Sequence, residues 1–208
     1  MSGSAGGHYF DESPSVASRE KRYTIKGPGG TLEIVSDAGV FSHGSLDRAT
    51  ALLLEVIEEL PAPPDGDILD IGCGAGPIAV LLAARFPDRT VRAVDTNTRA
   101  VELCRRNAAL NGLTNLVASS PDEVPGSAVF SLVCSNPPIR IGKTELHALL
   151  SRWLARMTGD GAAYLVVGRN LGADSLQSWL TAEGWPTERI GSAKGFRLLR
   201  SVPRPAGG

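Results

Sequence analysis

The chain has no apolar run approaching the ~20 residues that a bilayer-spanning helix needs. Its opening stretch, Met1 to Phe10, also lacks the charged and apolar regions of a secretion signal, so a cytoplasmic location is expected. Cysteine is scarce: Cys73, Cys104 and Cys134 are odd in number and far apart in sequence. That argues against a disulfide framework or a Cys-x-x-Cys metal site and for three reduced thiols. His8, His43 and His147 are equally scattered, so no zinc set is expected and metal chemistry is set aside. A strong field of either sign is missing too. With a net charge of −1 and a pI of about 6.3, any contact with a polyanion has to be local.

What is present is 208 residues, 42% hydrophobic and 21% charged, enough for one globular domain with a full core. Residues 1 to about 20 are rich in Gly and Ser, with the aromatic pair Tyr9 and Phe10 as their means of docking onto the body. Arg22 to Lys26 and Thr31 to Val35 alternate around Gly27-Pro28-Gly29-Gly30, which reads as a hairpin. Leu46 to Leu60 follows helical spacing with Ser45 as N-cap, and Pro61 to Pro64 ends that helix.

Beyond this link the chain alternates. Strands are expected at Ile68 to Ile71, Val91 to Asp95, Leu116 to Ala118, Val129 to Ser135 and Ala162 to Val167. Helices are expected at Pro77 to Arg85, Arg99 to Asn111 (stopped by Gly112), Thr144 to Met157 and Ser175 to Ala182. Two last runs, Glu188 to Ser192 and Phe196 to Val202, read as strands joined by a short turn. Such alternation points to an α/β fold, a mostly parallel sheet with helices on both faces and an antiparallel edge. The organisation expected is an extension and hairpin over 1–45, a core domain over 46–202 and a tail over 203–208.

Asp70-Ile71-Gly72-Cys73-Gly74-Ala75-Gly76-Pro77 takes a buried strand into a glycine-rich turn, with Pro at the first position of a helix. Gly72, Gly74 and Gly76 allow backbone close to a ligand that a Cβ would block. The spacing is GxGxG rather than GxGxxG, and Pro77 removes an amide donor from the helix terminus that would face a pyrophosphate. That favours a cofactor with an uncharged linker over a dinucleotide. Asp95, ending the next strand, suits two vicinal ribose hydroxyls. Asp70 has two readings, contact with a cationic ligand group or a cap on the glycine turn. In the loop after the third strand, Ser119 or Ser120 is placed to meet an adenine ring, and a simple turn explains these residues as well.

Ser135-Asn136-Pro137-Pro138-Ile139 follows the fourth strand of this series. The Asn136 side-chain oxygen and the Pro137 carbonyl can both accept hydrogen bonds from one planar amino group, and consecutive prolines stiffen the backbone. That suits a reaction at an sp² exocyclic nitrogen. Arg140 and Lys143 beside the turn read as phosphate contacts or as solvated charge. The clusters Arg19, Lys21, Arg22, Lys26 and Lys194, Arg197, Arg200 read as solvated surface.

Together these segments resemble the small methyltransferase-domain family of class I S-adenosylmethionine enzymes, in particular stand-alone relatives of ribosomal RNA guanine-N2 methyltransferases. The resemblance covers nearly the whole chain. It is carried by His8-Tyr9-Phe10 with Ser13-Pro14-Ser15, Gly39-Val40-Phe41-Ser42 with Leu46-Asp47, the Asp70 to Gly76 turn, Ser135 to Arg140 with Gly142-Lys143, and Lys194 to Arg200. It implies a Rossmann-like fold with a seven-stranded sheet, S-adenosylmethionine as cofactor and ribosomal RNA or the small ribosomal subunit as partner. It also implies Asn136 and Pro137 as catalytic groups, with Asp70, Gly72, Gly74, Gly76, Asp95, Ser119 and Phe41 about the cofactor and Pro138, Ile139, Arg140 and Lys143 about the substrate. Ile139 departs from the family, where many members carry Phe or Tyr to stack on the base; Phe41 is the substitute, or else a lid over the cofactor. A protein glutamine or a small molecule is the alternative acceptor, and a non-catalytic RNA-binding module the third reading.

Overall fold

A computed structural model describes residues 17–40 and 44–204; His8, Tyr9, Phe10 and Phe41 lie outside the described residues. In chain order the elements are β1 (Lys21–Gly27), β2 (Gly30–Ser36), α1 (Arg48–Glu59), β3 (Asp67–Ile71), α2 (Pro77–Arg85), β4 (Val91–Val94) and α3 (Thr98–Leu110). Then follow β5 (Leu116–Ser119), β6 (Phe130–Ser135), α4 (Lys143–Leu154), β7 (Met157–Gly168), α5 (Ala173–Ala182), β8 (Thr187–Ala193) and β9 (Phe196–Ser201). Single 3-10 turns sit at Pro121–Glu123, Ile139–Ile141 and Arg169–Leu171.

The main sheet has seven strands in the order β5-β4-β3-β6-β7-β9-β8. From β5 to β7 the neighbours run parallel, and β9 pairs antiparallel with both β7 and β8. The expected parallel sheet with an antiparallel edge is therefore borne out. The chain winds outward from β3 in one direction and from β6 in the other. Those two adjacent strands form the switch point, and a crevice opens at their carboxyl ends.

Period-2 alternation sorts the core into two layers. Ile68, Val91, Ala93 and Leu132 face the helices α1 to α3, while Leu69, Ile71, Val133 and Leu165 face α4 and α5. Strands apolar on both faces are what a parallel sheet sandwiched between helices requires. The hairpin joins the first layer through Ile25, Ile34 and Val35. Its exposed β2 edge is closed by side chains rather than by a strand. Asn107 and Asn111, one turn apart on α3, each exchange two hydrogen bonds with its backbone. Asn107 accepts from Val35 N at 2.9 Å and donates to Val35 O at 2.8 Å; Asn111 does the same with Glu33, also at 2.9 and 2.8 Å.

Four boundaries depart from the sequence expectation by two residues or more. Helix α1 is capped by Asp47, whose Oδ2 accepts from Thr50 N at 3.0 Å, so Ser45 lies outside it. Helix α4 stops at Leu154 because the chain turns at once into β7. That strand begins at Met157, ahead of the expected start at Ala162, with a register shift against β6 between Phe130 and Leu132 that absorbs Gly159 and Gly161. Helix α5 starts early, at Ala173, since Gly172 takes a left-handed φ of 91°.

Candidate active site

The glycine turn begins where β3 ends. Gly72 N and Cys73 N both donate to Val94 O, at 2.9 and 3.0 Å, which folds the turn across the end of β4. Gly72 and Gly74 hold φ of 70° and 55°, open to glycine and costly for other residues. Gly76 answers to a different neighbour: a Cβ there would stand 2.5 Å from Cys104 Sγ, so its bare backbone is what lets α2 start against α3. The three cysteines are free and buried; the Cys73 thiol donates to Gly74 O at 3.6 Å, and Cys104, distant in sequence, lies in the same core layer.

Two carboxylates flank this turn. Asp70 is wholly buried; its Oδ2 accepts from Ala79 N at 3.1 Å in the first turn of α2, while its Oδ1 has no partner among the described residues. Burial, opposed by the Ala79 N–H and aided by the charge of Asp95, pushes Asp70 up to about 8. Asp95 follows β4 directly. Its Oδ2 accepts from Gly74 N at 2.9 Å and its Oδ1 from Asn97 N at 2.9 Å, and burial raises its pKa. Each oxygen keeps a lone pair free of these bonds. An unpartnered buried carboxylate oxygen and a second carboxylate with spare acceptors beside a glycine cradle fit a ligand with a cationic end and vicinal hydroxyls. Ser119 closes β5 on the same edge, its hydroxyl donating to Ser120 O at 3.1 Å.

The second turn leaves β6 beside the first. Ser135 is buried and donates through Oγ to Ile71 O at 2.7 Å, tying the ends of β6 and β3 together. At Gly72 an added Cβ would lie 3.5 Å from Pro138 Cδ, so the two turns are in near contact. Pro138, at φ −74° and ψ 73°, is the centre of an inverse γ-turn in which Ile139 N donates to Pro137 O at 2.8 Å. One lone pair of that carbonyl is taken and one remains. The Asn136 Nδ2 donates to Asp47 Oδ2 and to Thr50 Oγ1, both at 3.0 Å. Its oxygen is therefore the end left to face a ligand.

Beyond the turn, Ile139 is half-buried and lines a depression of about 170 Å³ with Lys143, Leu146, His147, Leu171 and Leu176. His147 stacks on Trp179 at 3.6 Å; partial burial and the Lys143 charge lower its pKa. Arg140 and Lys143 are exposed. Farther along the same sheet edge, a second depression of about 180 Å³ is lined by Arg169, Lys194, Phe196 and Arg197. The structure thus brings Asp70, Gly72, Gly74, Asp95 and Ser119 to one side of the switch point and Asn136 to Lys143 to the other. Ser135, Asp47 and Thr50 are not among the site residues the sequence points to; Ser135 and Asp47 stand within the segments that carry the family resemblance, and Thr50, inside α1, has no signal of its own. Among the described residues no cluster of His, Cys, Asp or Glu is arranged to hold a metal, and no helix is long and apolar enough to cross a membrane.

Residues 31–200 match the methyltransferase small domain family. The chain is similar to uncharacterized protein YbxB of Bacillus subtilis, 37% identical over 93% of this chain and 97% of that one. It is 40% identical to ribosomal RNA small subunit methyltransferase C of Pseudomonas entomophila, over 92% of this chain but 57% of that protein. Among solved structures it is similar to the T. thermophilus 16S rRNA guanine-N2 methyltransferase in complex with AdoMet and guanosine. The TM-score is 0.78 at 23% identity, covering 92% of this chain and 52% of that one. The chain thus spans little more than half the length of these two rRNA methyltransferases.

Proposed function

The chain belongs to the methyltransferase small domain family, is an S-adenosylmethionine-dependent methyltransferase, and from that premise we propose that it methylates the N2 amino group of guanine in small-subunit ribosomal RNA. The observation that carries the proposal is the orientation of Asn136. With both Nδ2 hydrogens committed to Asp47 and Thr50, Oδ1 presents an acceptor beside the glycine turn. Pro137 O supplies a second acceptor through its free lone pair. A planar amino group offers two N–H donors, and this pair of acceptors matches it.

When bound, S-adenosylmethionine supplies a methyl group activated by its sulfonium. Asp95 would take the ribose hydroxyls, Asp70 the cationic amino-acid end and the Gly72 to Gly74 backbone the close approach. Asn136 Oδ1 and Pro137 O orient the acceptor amine and stabilise the positive charge that grows on it during attack. Dipoles fixed in advance toward that charge lower the barrier without a strong base. The amine then gives its proton to water.

The surface favours RNA over a small-molecule acceptor. A small molecule calls for an enclosed apolar pocket, whereas the depression beside the turn is bounded by exposed residues, Lys143, Leu171 and Ser175 among them. Several cations elsewhere are matched to carboxylates, Arg22 to Glu33, Lys26 to Glu58, Arg92 to Asp67, Arg152 to Asp122 and Arg200 to Glu188, while Lys21, Arg48 and Arg189 are exposed without an ion pair among the described residues. Arg140, Lys143, Arg169 and Lys194, all on the site's edge of the sheet, have no ion pair among the described residues. Lys143 even stands at the first residue of α4, where the helix end is already positive and Gly142 offers no side-chain cap. The fold gains nothing from a cation there, and a phosphate would.

The test is transfer of labelled methyl from S-adenosylmethionine into small ribosomal subunits and naked ribosomal RNA, followed by nucleoside digestion and mass spectrometry. N2-methylguanosine is expected with the native chain and not with Asn136→Ala. Label in a protein glutamine instead of RNA would overturn the proposal.

A further inference from the structure

A carboxamide can be turned over about its terminal torsion at little cost, and only its oxygen accepts hydrogen bonds. An Asn that must present its oxygen to an amine therefore needs something to forbid the flipped state, in which its NH2 would oppose the donors of the amine. Thr50 does not do this alone, because a hydroxyl both donates and accepts. Asp47 does, since a carboxylate accepts only.

We infer that Asp47 is a positioning residue for the methyl-transfer reaction: together with Thr50 it locks the Asn136 carboxamide with its oxygen toward the acceptor amine. The inference rests on the N-methyltransferase reading above. Asp47 Oδ2 takes Asn136 Nδ2 at 3.0 Å and Thr50 N at 3.0 Å, with Thr50 Oγ1 at 3.4 Å. One oxygen thus caps α1 and orients the Asn, and Thr50 Oγ1 adds the second bond to Asn136 Nδ2 at 3.0 Å. Thr50 is buried and Asp47 and Asn136 are half-buried, which limits the water that could replace these bonds. The reach is long in sequence, 89 residues from Asp47 to Asn136, so the start of α1 is fastened to the end of β6. A helix cap alone would need neither the second acceptor nor the approach to Asn136.

Capping and positioning separate by side-chain length. Asp47→Ser keeps a good N-cap, because a Ser oxygen reaches the N–H at the third helical position, but is one carbon too short to hold Asn136 as well. Asp47→Asn keeps an oxygen where Oδ2 stands and serves both bonds. For Asp47→Ser we expect an unchanged melting temperature, unchanged S-adenosylmethionine affinity by calorimetry and an unchanged KM for RNA, with kcat down about 10²-fold. Asp47→Asn should restore most of that loss, and Thr50→Val should lose less than Asp47→Ser.

A substrate-free readout runs beside it: the side-chain amide resonance of Asn136, assigned by its disappearance in Asn136→Ala. It should be protected from solvent exchange in the native chain and in Asp47→Asn, and exchange freely in Asp47→Ser. Native kcat in Asp47→Ser, or an Asn136 amide indifferent to residue 47, overturns the positioning role. If the native chain methylates no RNA while the amide responds as expected, the acceptor assignment falls and the orienting lock stands.

Discussion

The two turns at the switch point differ in the reach of what holds them. The glycine turn after β3 is held at closer range: Asp70 reaches Ala79 within nine residues, Gly76 N bonds back to Cys73 O at 2.8 Å, Gly74 N reaches Asp95 across 21 residues, and Asn107 reaches Ala75 O across 32. The turn after β6 is rigid within itself, but everything that aims it comes from afar, Ser135 to Ile71 across 64 residues and Asn136 to Asp47 across 89. The first turn holds a ligand through backbone and two carboxylates. The second presents one oxygen and one carbonyl in a set direction. Binding and catalysis should therefore break separately when each turn is damaged.

The largest effect is expected at the glycine turn's own packing. Gly76→Ala places a Cβ 2.5 Å from Cys104 Sγ and 3.4 Å from its Cα, at φ 86°. Overpacking and left-handed strain together should cost about 3 kcal/mol in chemical denaturation. A native-like midpoint would mean that α3 moves aside freely. Next in size is Asn136→Ala, which should lower kcat about 10²-fold while S-adenosylmethionine binding on calorimetry stays close to native. Equal losses in both would erase the distinction between the turns.

Asp95→Ala is the mirror image. It should weaken cofactor binding by about 1 to 3 kcal/mol, because Gly74 N loses its acceptor along with the ligand hydroxyls, and spare the rate at saturating cofactor. Asp70 adds a pH dependence to the same turn. Its pKa is raised from the usual 3.8 to about 8 in the folded chain, so the folded state holds a proton that the unfolded state has lost. The resulting stability is full below about pH 4 and drains away as pH rises to about 8. Asp70→Asn, which keeps an acceptor for Ala79 N, should flatten the melting temperature between those limits. A cationic ligand end favours the carboxylate, so in the native chain cofactor affinity should rise across the same window. An Asp70→Asn variant with the native pH profile would remove Asp70 from both roles.

This contrast also explains what the sequence could disclose. Helix α2 was readable to the residue, Pro77 to Arg85, because Pro at its first position and Phe86-Pro87 after it are local marks. The sheet with its antiparallel edge followed from alternation alone. Helix α1 was readable but its start was not, since Ser45 and Asp47 are equally good caps in sequence, and it is Asp47 whose Oδ2 takes both Thr50 N and Asn136 Nδ2 in the folded chain. The first half of β7 was hidden because Gly159-Asp160-Gly161 carries turn chemistry, which pairing to β6 overrides. Asn136 stood out by its motif, and its orientation did not. A bond spanning 89 residues leaves no periodic trace, whereas the Asp70 to Gly76 run declares itself in seven.

The smallest expected effect tests whether the second turn has a partner along the sheet edge. Lys143→Gln and Lys194→Gln remove cations with no carboxylate partner among the described residues, while Arg200→Gln removes one held by Glu188 at 3.1 Å. If the unpaired cations meet phosphates, each of the first two should weaken single-stranded RNA binding a few-fold and flatten its salt dependence by about 0.7 in log-log slope. Arg200→Gln should change neither, because its charge is already answered. Anisotropy titrations over a salt series read both quantities. Identical behaviour of all three variants would mean that the free cations serve solubility alone, and that RNA is held by contacts outside this edge. A response at Lys143 without one at Lys194 would shorten the track to the turn itself, with Arg140 and Lys143 as its whole extent.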